Sequence, residues 1–208
     1  MTLPPRLVPL LEQFDFARER LVNRLNGPLM DSGNGTDVRV GPITDAEYLW
    51  EPVPHCWSVR RRESGPGARA TVLTGTGEWG RDAAPHPHPE PAPFTTIAWR
   101  LSHLVEMFVL RTDHTVGSHR LTRDDFQSRG DAASAVADFE RSTADWRTAL
   151  VGLTDADLDT VGLSTYPHGG DAEEAFVDVV WWMNQELLHH GAEIALLRDL
   201  HRGGGGGR

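Results

Sequence analysis

The chain has 208 residues, a length that fits one domain with interior enough to fold without a metal or a disulfide. Its 20 basic residues are all arginine and face 30 acidic ones, for a formal net charge of −10. The absence of lysine excludes internal Schiff bases, pyridoxal-phosphate anchoring, lysine general bases and a P-loop, and Cys56 as the only cysteine excludes an intrachain disulfide, a CxxC redox pair and a multi-cysteine zinc site.

From Leu7 to Leu25 the apolar positions Leu7, Leu10, Leu11, Phe14, Ala17, Leu21 and Leu25 recur at three and four, which predicts an amphipathic helix closed by Gly27-Pro28. The stretch from Asp31 to Pro93 is rich in Gly, Pro, Ser and Thr and reads as a long loop excursion. Within it a short strand is expected around Ala70 to Leu73, and Tyr48, Trp50 and Trp57 are expected to pin the excursion to the core. Cys56 reads as an incidental thiol, and His86 and His88 as solvated loop residues.

A second helix is expected from a Thr95 or Thr96 cap to about His114, apolar almost all round and therefore central. A third spans about Asp131 to Leu150. The fourth runs from about Asp171, read as its N-cap, to Leu200. Gly203 to Gly207 cannot hold a fixed conformation. The expected fold class is all-α: a four-helix bundle over residues 1–202 with the 31–93 loop excursion between helices one and two, and a flexible Gly-rich tail at 203–208.

Chemistry concentrates on two of these helices. Glu186 and His190, four apart on the last helix, point the same way, and His103 sits on the otherwise core-like second helix. Two histidines and one carboxylate from facing helices give three metal ligands and leave a coordination position open, the pattern of a catalytic rather than a structural site. A charged, buried Glu186 without a partner would cost several kcal/mol, which a divalent cation would compensate. The alternatives are a satisfied core histidine at 103 and a surface pair at 186 and 190. Glu186-x-x-His189 has di-iron spacing, but a second such motif is missing. Glu193 and Asn184 are candidates to hydrogen-bond the ligands. Arg100 and Arg111 are candidates to bind a substrate carboxylate or to make surface pairs. His114, His119 and His168 are candidate pocket residues.

The segments PFTTIAWRLSHLVE (93–106) and NQELLHHGAEIALLRDL (184–200), with TDAEYLWEPVPHCWSV (44–59), resemble the DinB-like superfamily, which contains mycothiol- and bacillithiol-dependent transferases. The resemblance implies an up-down-down-up bundle and a divalent metal, with zinc the first expectation and nickel or iron the alternatives. It places that metal on His103, Glu186 and His190. Glutamate at 186 resembles the mycothiol-dependent maleylpyruvate isomerase branch, which implies mycothiol as co-substrate; the all-arginine composition, typical of GC-rich coding, agrees. The long excursion departs from that branch, as does the expectation of a bundle with no further domain after its last helix.

The functional expectation is a metal-dependent thiol S-transferase that directs a metal-activated thiol at an electrophilic small molecule. Alternatives are a metal-dependent hydrolase, a non-haem iron oxygenase and a non-enzymatic stress-response metal-binding bundle. The acidic balance argues against nucleic acid as partner. The lack of a secretory h-region or a long apolar run predicts no membrane partner and a cytoplasmic location. A homodimer is a further expectation.

Overall fold

The computed structural model describes residues 3–27, 29–31, 37–39, 41–85, 89–165 and 170–204, with the backbone alone at 29–31, 37–39 and 170–171. His86, His88, His168 and positions 205–208 of the expected tail lie outside the described residues.

Helix α1 (Leu7–Asn26) buries Leu7, Leu11, Phe14, Ala17, Leu21 and Leu25. It ends at Gly27, whose left-handed φ of 68° lets its N–H reach the Asn23 carbonyl at 3.0 Å. Strands β1 (Leu29–Asp31) and β2 (Asp37–Arg39) pair antiparallel, and the single-turn α2 (Asp45–Tyr48) follows. Thr44 and Glu47 cap α2 reciprocally.

The excursion is more than loop. Strands β3 (Val59–Arg61), β4 (Val72–Thr74) and β5 (Trp79–Ala83) form an antiparallel sheet in the order β3-β5-β4. The expected strand at Ala70 to Leu73 is β4, shifted toward Thr74. Three aromatics tie this region down: Tyr48 is fully buried and donates to the Arg129 carbonyl at 2.9 Å, Trp57 is buried, and Trp50 packs partly buried against the core. Cys56 is a buried free thiol whose burial pushes its pKa up, as an incidental thiol requires.

Helix α3 (Ile97–Val116) starts at Thr96, whose hydroxyl accepts from the Trp99 N–H at 3.2 Å. Helix α4 (Ala132–Val151) is capped by Asp131 through the Ser134 N–H at 2.8 Å. After the one-turn α5 (Asp155–Leu158) comes α6 (Phe176–Arg202). Asp171 is not its N-cap. Residues 170–173 form a separate 3-10 turn, and the chain then pairs with 160–161 through the Val161–Ala175 bridge and the Phe176 N–H to Thr160 carbonyl bond, so α6 cannot begin earlier.

Side-chain contacts fix the directions of the long helices. Asn184 meets Leu10 and Gln13 while Ala195 meets Arg24, so α1 and α6 run parallel. Asp15 meets Arg147 and Asn26 meets Glu140, so α4 opposes α1. His103 meets Glu186 while Arg111 lies over Trp182, so α3 opposes α6. The order is therefore up-down-down-up, an all-α bundle with a small sheet appended. Phe14, Phe108, Phe139, Trp146 and Phe176 stand in its continuous apolar core. Among the described residues no helix is long and apolar enough to cross a membrane.

Candidate metal centre

Antiparallel packing of α3 on α6 brings His103 beside Glu186 and His190, with their imidazole centres 4.9 Å apart and nearly perpendicular. The Glu186 Oε2 atom lies 3.3 Å from Nε2 of His103 and 3.3 Å from Nε2 of His190. One donor atom from each residue falls within 4.8 Å of the others, and among the described residues this is the group able to hold a metal. The side chains retain 20%, 22% and 12% of their exposure in the order His103, Glu186, His190. The centre is therefore sunk into the bundle yet still reached by solvent.

The donor chemistry fits a divalent cation. Separations of 3.3 Å are long for N–H···O hydrogen bonds. They match neighbouring donors around a tetrahedral ion with bonds of about 2.1 Å, which stand roughly 3.4 Å apart. Proton accounting agrees. His190 Nδ1 is 2.7 Å from Glu193 Oε2 and 3.2 Å from Arg100 Nη1; in the tautomer that donates to Glu193, Nδ1 carries the hydrogen. Its Nε2 then turns a lone pair toward the Glu186 carboxylate unless a cation stands between them.

The electrostatics have matching causes. Interaction with His103, then with His190, holds the Glu186 carboxyl well below the ordinary carboxylate range. Burial pushes the His103 imidazole down, and only Glu186 and Glu106 oppose it. The carboxylate is thus favoured in its ionised form, and burial favours the neutral form of the His103 imidazole, as metal binding requires.

The surroundings divide the sequence expectations. Glu193 does contact a ligand, orienting His190 through Nδ1, and the Arg100 guanidinium ion-pairs with Glu193. Arg100 is almost buried in this role, neither a surface pair nor a free substrate anchor; burial weighs against its charge, and Glu193 is its ion-pair partner. Asn184 does not reach the site. It is buried against α1, donating to the Leu10 carbonyl at 2.8 Å and the Gln13 side chain at 3.2 Å. Arg111 is buried against Ser164. His189 lies on the exposed side of α6, with its Nε2 3.4 Å from Glu193 Oε1, and takes no part in a second metal position. His114 bonds the Leu121 carbonyl and sits edge-on to His119 near the far end of α3, away from the triad.

Two residues escaped the sequence reading. Trp99, one turn before His103, stacks on its imidazole at 5.4 Å and 21°. Arg81 on β5 lies over the Trp99 ring at 5.2 Å and ion-pairs with Glu106 at 2.8 Å. The spacing of four between Trp99 and His103 was legible as a shared face; the partner brought by the sheet was not.

An up-down-down-up bundle with two histidines and a carboxylate gathered between facing helices defines a class of metal-site proteins built on bundle cores. Residues 13–194 match the DinB superfamily, and the chain belongs to it. No curated protein and no solved structure gave a match.

Proposed function

We propose that the chain is a metal-dependent thiol S-transferase acting on an electrophilic small molecule, with zinc as the metal and mycothiol as the thiol. The observation that carries this reading is the convergence of His103, Glu186 and His190 in a partly solvent-accessible cluster. A divalent cation held there would act as a Lewis acid that lowers the pKa of an entering thiol.

The residues divide the remaining work. His103 and His190 supply neutral nitrogen donors, and Glu186 adds one negative charge, which leaves the incoming sulfur more nucleophilic than three imidazoles would. Glu193 and Arg100 fix the His190 ring. The stacked Trp99 holds His103 and walls its apolar side, excluding water from the face it covers. In the reaction the thiol proton leaves to solvent, a sulfur–carbon bond forms at the electrophilic carbon, and the leaving group departs with its electron pair.

Elemental analysis of the purified protein, followed by a conjugation assay with mycothiol and an electrophilic dye, tests the reading. A stoichiometric divalent metal and thiol-dependent conjugation are expected in the wild type, and both are lost in His190→Ala and Glu186→Ala. A protein that takes up no metal, or that turns over dye without thiol once metal is supplied, overturns the transferase assignment; the second outcome points to hydrolysis.

A further inference from the structure

The unusual group beside the triad is Arg81. Its side chain is 5% exposed, and of its three nitrogens only Nη2 has a partner, the Glu106 Oε2 atom at 2.8 Å. Nε and Nη1 are buried and have no hydrogen-bond partner among the described residues. A buried guanidinium with unmet N–H groups carries the desolvation penalty of each. Glu106 is shared, since its other oxygen, Oε1, is 3.2 Å from Arg123 Nε.

Position links this cation to the metal centre. Glu106 lies one turn beyond His103 on the same face of α3, and the Trp99 indole that stacks on His103 also carries the Arg81 guanidinium. No more than about 11 Å therefore separates the guanidinium carbon from the His103 ring centre. β5, the central strand of its sheet, holds Arg81 in place between Val59 and Thr74. The cation is thus fixed before any ligand arrives.

We propose that Arg81 is the anion-recognising residue of this site and takes a carboxylate of the small molecule that binds beside His103. Planar N–H donors in a low-dielectric setting select a carboxylate over a neutral group of equal size. The inference rests on the proposed use of the triad for small-molecule chemistry and names the charge class of what is bound there.

Calorimetric titration of the purified, metal-replete protein with a series of simple alkanoates, each against its amide, tests this. The wild type is expected to prefer an alkanoate by about ten-fold or more. Arg81→Lys keeps the charge facing Glu106 but loses the planar fork, and is expected to lose most of the preference at unchanged metal content. The double variant Arg81→Gln, Glu106→Gln removes the pair together and is expected to behave alike. No carboxylate preference in the wild type overturns the proposal without need of a variant. A preference untouched by Arg81→Lys assigns the binding to the metal alone and overturns it too. Should the Arg81-dependent preference stand while no thiol-dependent turnover is found, the transferase reading fails and the anion site survives.

Discussion

At the scale of single residues, the centre depends on one oxygen. Glu186 Oε2 stands at equal distance from two imidazole nitrogens, and the other nitrogen of His190 is held by Glu193 and Arg100. Removing such a supporting carboxylate typically lowers metal affinity ten- to hundred-fold, an order-of-magnitude expectation. Glu193→Gln should show that loss in competition with a chromophoric chelator and keep the helical circular dichroism of the wild type. Equal affinity in the two proteins would leave Glu193 as no more than the ion-pair partner of Arg100. The triad itself was legible in the sequence, because four-residue spacing places Glu186 and His190 together and His103 interrupts an apolar helix. Asn184 and His189 were not separable from true neighbours of the site: whether a residue a few positions from a ligand turns inward depends on where α1 packs, and no spacing within α6 encodes that. Arg100 was unreadable for the same reason, since its burial is set by Glu193 on another helix.

At the scale of elements, the long helices announced themselves, and of the strands only β4 was expected. Twenty-residue helices such as α1, α3 and α4 repeat their period often enough to be read, and Asp131 sits at the cap its chemistry favours. The strands of the excursion span three to five residues, too short for an alternation to show, so the sheet that delivers Arg81 was hidden in Gly- and Pro-rich sequence. Between elements, Glu47 of α2 joins the end of α6, accepting from Arg202 Nε at 2.6 Å and Arg198 Nε at 3.3 Å. Burial alone would raise its pKa, but the bonds from Arg202, the Thr44 N–H and Arg198 outweigh it and bring the carboxyl from 4.5 to about 2. A depressed folded-state pKa means that unfolding takes up a proton below 4.5; the stabilisation is complete above that pH and lost as pH falls toward 2. Urea midpoints should therefore fall across this window, and Glu47→Gln should fall less steeply while starting lower, because it leaves the buried Arg198 without its countercharge. Parallel slopes for the two proteins would assign the acid sensitivity to other carboxylates.

At the scale of the whole molecule, the triad joins helices that the bundle already packs, so metal and fold are thermodynamically linked. A cation that binds the folded chain at a free concentration of a hundred times its dissociation constant adds about 2.7 kcal/mol. Calorimetric melting should accordingly move to higher temperature with added zinc and back with chelator, and His103→Ala should melt identically under both conditions. A wild-type transition indifferent to zinc would show that the three side chains do not hold the ion in the folded state. The apolar core, spread over all four long helices, keeps the metal-free protein folded, so the expected result is a shift and not a collapse.

The placement of the triad also carries a kinetic meaning. His103 and Glu186 stand 83 positions apart in the chain, and α4 lies wholly between them, so no locally folded segment contains both. Closing so long a loop before its helices have docked would carry a large entropic penalty with few contacts to offset it. The centre is accordingly expected to be among the last features to assemble during refolding, and a spectroscopic signal from cobalt at these side chains should time the completed docking of α6 and lag the rise of helix; a cobalt signal that rises with the helix would overturn this order.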